Sequence, residues 1–245
     1  MNSRIYALAL SLLALSPMAV APSEERPNRK DIVNELFMPE LFGATLKWFG
    51  VVGATVFFDS TCVFPPGEEI GPDQRCIILN PAPAVTAWDE REIAKITFPG
   101  NTFKHVICPV FLHNLNYQLR NTTGASHDAR MDHRTYITIE SEALNDPSAV
   151  DPETGLPYGG KLDIPWGARI IANTLDDGAR LREVLQFTRA CNAGMNRPNF
   201  EGMGLPPAVV TNLFKNPITI HLGLRGSAQL LEFGLMNFSM RVTGH

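Results

Sequence analysis

Between Ile218 and Leu224 every second residue is a large aliphatic. Ile218, Ile220, Leu222 and Leu224 alternate with Thr219, His221, Gly223 and Arg225. Successive side chains of an extended chain point to opposite faces, so this period specifies a strand with one buried and one wetted side. The pattern returns downstream, with Leu231, Phe233 and Leu235 in one phase and Met236, Phe238, Met240 and Val242 in the other. A change of phase within one strand is what a β-bulge produces, and here it falls at residues 234–236. Gly226 occupies the expected turn of a C-terminal hairpin.

The same period runs through the middle of the chain. Phe103, Ile107, Phe111, Leu115, Tyr117 and Leu119 share one phase, and Asn114, Asn116, Gln118 and Arg120 take the other. Val106, Cys108, Val110 and Leu112 are also apolar, so the strand starts buried on both faces, with Pro109 as a bulge or break. Thr135–Glu140 reads as a shorter strand, paired with the first in a long hairpin. Leu41–Phe58 carries one charge, Lys47, yet its glycines and its Val, Thr and Phe content indicate buried strands rather than a membrane span. One helix is expected from Asp176 or Asp177 to Gly194, with Leu181, Val184, Leu185, Thr188 and Cys191 at helical spacing. Nineteen Gly and nineteen Pro leave little room for long helices, and PPG, PAP, GLPYGG and GMGLPP read as loops. The expected fold is mainly β: an antiparallel β-sandwich or jelly-roll-like arrangement with one or two short helices.

The N-terminus has the layout of an export signal. Arg4 precedes an apolar stretch from Ile5 to Leu15, and Ala19-Val20-Ala21 supplies a small-residue cleavage site, although Pro22 follows it directly. The expected organisation is a signal peptide at 1–21, a linker and short helix at 22–42, and one β-rich domain at 43–245. The apolar stretch is too short to span a bilayer, so no transmembrane segment is expected apart from the signal. Four cysteines in an exported chain point to two disulfides. Cys62 and Cys76 flank the turn-rich PPGEEIGPDQR and are the favoured pair, which leaves Cys108 with Cys191.

The formal net charge of −4 has the wrong sign for a general nucleic-acid binder. No G-x-S-x-G elbow, phosphate-binding loop or dinucleotide fingerprint is present. Cys108, His113 and Gln118 have the spacing of a copper-ligand loop, but no histidine precedes residue 105 to complete such a site. The densest set of metal-type side chains is His127, Asp128, Asp132 and His133, placed in a loop ahead of the 135–140 strand. Imidazole and carboxylate together suit a divalent metal, the only cofactor the chain suggests. Asp146, Asp151, Glu153 and Asp163 offer oxygen atoms of the kind extracellular calcium sites use. Asn121 and Asn237 begin N-x-S/T sequons.

These features favour an exported, non-enzymatic structural, accessory or surface-binding protein that acts through a protein partner or self-assembly, at the periplasm, cell surface or outside the cell. Two alternatives are an exported metal-dependent hydrolase using the 127–133 residues and a small-ligand or carbohydrate binder. The latter would use Trp88, Trp166 or Tyr158 as exposed platforms.

Overall fold

The computed structural model describes residues 46–189 and 194–245. Its long strands are β1 (Lys47–Asp59), β3 (Thr86–Phe98), β4 (Val106–Arg120), β5 (His127–Glu140), β6 (Lys161–Leu175), β7 (Arg180–Arg189), β9 (Ile218–Gln229) and β10 (Leu231–Gly244). Two short strands, β2 (Gln74–Ile78) and β8 (Met195–Asn196), and two helices, α1 (Arg197–Gly202) and α2 (Pro207–Lys215), complete them. The first sheet has the order β2-β1-β10-β4-β7, with β8 also on β4, and the second has the order β3-β9-β5-β6. All ladders among the long strands are antiparallel, while β2 runs parallel to β1. The chain crosses between sheets at six of its nine strand-to-strand connections, and the last strand lies between the first and the fourth. That order is a jelly roll, in which the two sheets bury their inner faces against each other.

The alternation explains which side chains fill the core. Ile218, Ile220, Leu222 and Leu224 of β9 are buried, as are Phe111, Leu115, Tyr117 and Leu119 of β4 and Met236, Phe238, Met240 and Val242 of β10. Thr219, directly across from Glu140 and Thr97, stays partly open. Truncating Leu222 to Ala should therefore cost about 3 kcal/mol, against roughly 0.5 kcal/mol or less for Thr219→Ala. Urea unfolding of both variants measures the difference, and equal losses would contradict this facing.

Several expectations change on contact with the structure. Residues 180–189 form strand β7, not a helix. Leu181 and Leu185 fit a helical period, but they also lie in one phase of a strand with Phe187. Glu183, which interrupts that phase, accepts the hydroxyl hydrogen bond of Tyr117. Asp176–Ala179 is a tight turn with Gly178 at φ +75°, so the Asp-Asp-Gly triplet is a turn signal and not a helix cap. The helices lie instead in stretches expected to be loops. Asn196 caps α1 by accepting from the Asn199 amide at 3.0 Å, and Pro207 opens α2, which buries Val209, Val210, Leu213 and Phe214.

The two expected hairpins are also absent. β4 and β5 belong to different sheets, as do β9 and β10. β5 begins at His127, well before Thr135, so the presumed loop at 127–133 is itself strand. β4 runs through Pro109 with no register shift against β10. β9 continues past Gly226 to Gln229, and the chain reverses at Leu230, with φ +60°. The bulge of β10 lies between Leu231 and Phe233, just before the expected place.

Cys62 and Cys76 form a disulfide across a loop whose ends are 5.9 Å apart at Cα. Cys108 is also disulfide-bonded; Cys191 lies outside the described residues, as do the expected signal at 1–21 and the linker and helix at 22–42. No described helix is long and apolar enough to cross a membrane.

Candidate functional site

Being a strand, β5 separates the four residues expected to converge on a metal. His127 and His133 share one phase and Asp128 and Asp132 the other, so the imidazoles and the carboxylates point to opposite faces. The two histidines are six residues apart, or roughly 20 Å along an extended chain. Asp128 accepts from Thr174 Oγ1 at 2.9 Å, and Asp132 pairs with Arg134 at 3.2 Å. The acidic residues of the 146–163 stretch are likewise dispersed. Asp146 and Asp151 are held below the usual carboxylate range by hydrogen bonds they accept within their own turns, Asp146 from Ser148 and Asp151 from Glu153 and Thr154. Asp163 accepts from Thr138 Oγ1 on the second sheet.

His133 instead points into the core, where it meets His113 of β4 from the opposite sheet. The ring centroids are 5.0 Å apart in an edge-to-face arrangement, and Phe187 lies 4.3 Å beyond His113. Both imidazoles are almost completely buried, and none of their four ring nitrogens has a hydrogen-bond partner. Desolvation pushes His113 down to about 3, with the His133 charge adding to the effect. Desolvation likewise takes His133 down to about 4, against the opposing pull of Asp132. The pair is therefore neutral at physiological pH.

The two outward faces of the sandwich differ sharply in chemistry. On the second sheet, Arg91 pairs with Asp89 and Asp163, Arg134 with Asp132, and Lys161 with Glu92 and Glu140. His221 sits among these groups with one ring nitrogen on Glu140. Such exposed pairs stabilise the fold little and keep the face wetted.

The centre of the outward face of the first sheet carries no charge. Three rows run across β1, β10, β4 and β7 in register: Phe57–Leu235–Asn116–Val184, Thr55–Asn237–Asn114–Gln186, and Gly53–Ser239–Leu112–Thr188. None of these positions is ionisable. Leu112 and Val184 are 43% and 59% exposed, values that leave substantial apolar surface in water. The two rows through Thr55 and Gly53 line a groove of about 610 Å³. Thr55 Oγ1 donates to Asn237 Oδ1 at 2.8 Å, and Asn116 Oδ1 is buried without a partner. Charges return at the rim, where Arg241 stacks over Trp48 at one end, and Arg120, paired with Glu232, stands beside Arg180 and Arg182 of β7 at the other.

This face is legible in the amino-acid sequence only in part. The polar phase Asn114, Asn116 and Gln118 was visible as a wetted strand side. That it would align with Thr55, Asn237 and Gln186 depends on pairing between strands distant in sequence. Of the aromatic residues considered as ligand platforms, Trp88 is buried and Trp166 and Tyr158 are half-buried, the last with its hydroxyl on the Met203 carbonyl. Asn121 is fully buried, donating to the Ala125 and Leu175 carbonyls, whereas Asn237 is exposed within the groove. No protein-family model matches the chain, and comparison with curated proteins and with solved structures also finds no match.

Proposed function

We propose that the protein is an exported, non-enzymatic structural subunit that self-associates through the outward face of its first sheet. The observation that carries this reading is the uncharged centre of that face with charges only at its rim, beside an opposite face laced with ion pairs. Depletion of charge at the centre and a polar rim are the composition of protein–protein contacts.

Two arguments favour a second copy of this chain as the occupant. An acidic chain is repelled by its own copies, and an uncharged face is where two copies approach at least cost. The face also carries groups that can pair with their own kind. Its amides and hydroxyls each donate and accept, so the same surface can satisfy itself across a two-fold axis. A jelly roll serves equally in shell-forming subunits, lectins and cupins, so the choice rests on this face and not on the fold. The Cys62–Cys76 disulfide is compatible with the oxidising compartment that export would provide.

Sedimentation velocity over a wide range of concentration tests the reading. The wild-type chain should move from monomer to a larger species as concentration rises, and Leu112→Glu should remain monomeric. Leu112 is exposed, so the variant should keep its unfolding midpoint. A wild-type chain that stays monomeric throughout, or a variant that associates as well as wild type, contradicts the proposal.

A further inference from the structure

The other outward face holds a second arrangement of interest. Glu92 of β3, Glu140 of β5 and His221 of β9 bring one ligand-type atom each to within 4.8 Å of one another. The bulge of β3, where Glu92 takes φ +53°, turns that carboxylate toward His221 of the adjacent β9 and the Lys161 side chain at the start of β6. Glu140 ends β5 diagonally across from His221, because Thr138 is the residue directly paired with His221. Three strands far apart in sequence therefore meet at one point.

His221 is the residue that distinguishes this cluster from ordinary surface acids. It is 2% exposed although it lies in the outward phase of β9. Its Nε2 is 2.7 Å from Glu140 Oε2, and a carboxylate only accepts, so Nε2 carries the proton. In the neutral ring Nδ1 is then a bare lone pair. That atom is buried, has no hydrogen-bond partner, and lies 3.9 Å from Glu92 Oε2. In that tautomer Nδ1 and the Glu92 carboxylate are two acceptors turned toward each other. A carboxylate that fixes the tautomer from one ring nitrogen while the other is left for a metal is the usual way a histidine ligand is oriented.

We propose that His221 Nδ1 and Glu92 hold a divalent cation of the zinc class on the outward face of the second sheet, with Glu140 orienting the imidazole. Zinc bonds nitrogen and oxygen at about 2.0–2.2 Å, so two ligands on one tetrahedral ion lie about 3.3–3.5 Å apart. Closing the 3.9 Å gap needs a shift of about half an ångström, which the exposed Glu92 side chain can make. The remaining positions face solvent and take water. Lys161 is the competitor: its ammonium pairs with Glu92 and lies 4.0 Å from Glu140, and it is exposed enough to swing away. Lys95, directly across from His221 on β3, adds a second nearby cation that weakens the site.

The test uses the purified chain and zinc chloride alone, read by isothermal titration calorimetry near neutral pH. One ion per chain should bind, Glu92→Gln should weaken binding about tenfold or more, and Lys161→Ala should strengthen it. Both substitutions are on exposed side chains, and matching unfolding midpoints confirm that the fold is intact. Zinc binding unchanged in Glu92→Gln would place the ion elsewhere, such as the stacked His105–His245 pair, and overturn the proposal. Failure of both wild type and Lys161→Ala to bind zinc would overturn it too. The site lies opposite the association face, so neither outcome bears on self-association.

Discussion

Lowering the pH from 6.5 to 5 should remove about 3 kcal/mol from the folding free energy. The cause is the buried pair His113 and His133, whose folded values are driven down to about 3 and about 4. An unfolded histidine titrates near 6.5, so the depressed pair contributes its full stability only above that pH. Below it the unfolded chain binds two protons that the folded chain refuses, at about 1.4 kcal/mol per group per pH unit. The loss continues until the pH approaches the folded values. A whole domain has about 5–15 kcal/mol of stability, so acid unfolding should begin well above the range where most carboxylates titrate. Urea unfolding at pH 6.5 and pH 5 measures the loss, and His113→Leu should roughly halve it. The same pH dependence in that variant would show that the pair is not its source.

Replacing Gly226 by Ala should cost about 4 kcal/mol or more, at the upper end of single substitutions. A Cβ built there lies 2.0 Å from the Asp132 carbonyl oxygen of β5. Both residues belong to central strands held by ladders on each side, β9 between β3 and β5 and β5 between β9 and β6, so neither backbone can move away. The glycine is there for close approach and not for a turn. Thermal unfolding of Gly226→Ala and of Gly53→Ala provides the contrast. A Cβ at Gly53 meets nothing nearer than 3.6 Å, so Gly53→Ala should change little. Equal effects would contradict the packing described for β5 and β9.

Gly226 also shows where the sequence was silent. Period-two alternation revealed the strands and their buried faces, because facing is a local property of Ile220, Leu222, Phe238 and Met240. It could not reveal which sheet a strand joins. β9 and β10 follow each other with a single residue between them, which looks like a hairpin until the sheets are seen to be different. Leu181 and Leu185 satisfied two periods at once, and only pairing with β4 decides between them. The metal-type residues at 127–133 were conspicuous for their density in sequence, yet a strand sends neighbours to opposite sides. The cluster that does converge, Glu92, Glu140 and His221, has no motif at all. Its only trace was His221 standing in the polar phase of β9.

Self-association through the first sheet is tested most directly by opposite charges placed on the same face. One variant carries Leu112→Lys and Asn114→Lys, and the other carries Leu112→Glu and Asn114→Glu. Each alone should sediment as a monomer, since like charges would oppose across the two-fold contact. Mixed in equal amounts, they should recover the larger species formed by wild type. Two monomers that remain monomers when mixed, or variants that associate alone as wild type does, would contradict a contact made by this face with its own copy.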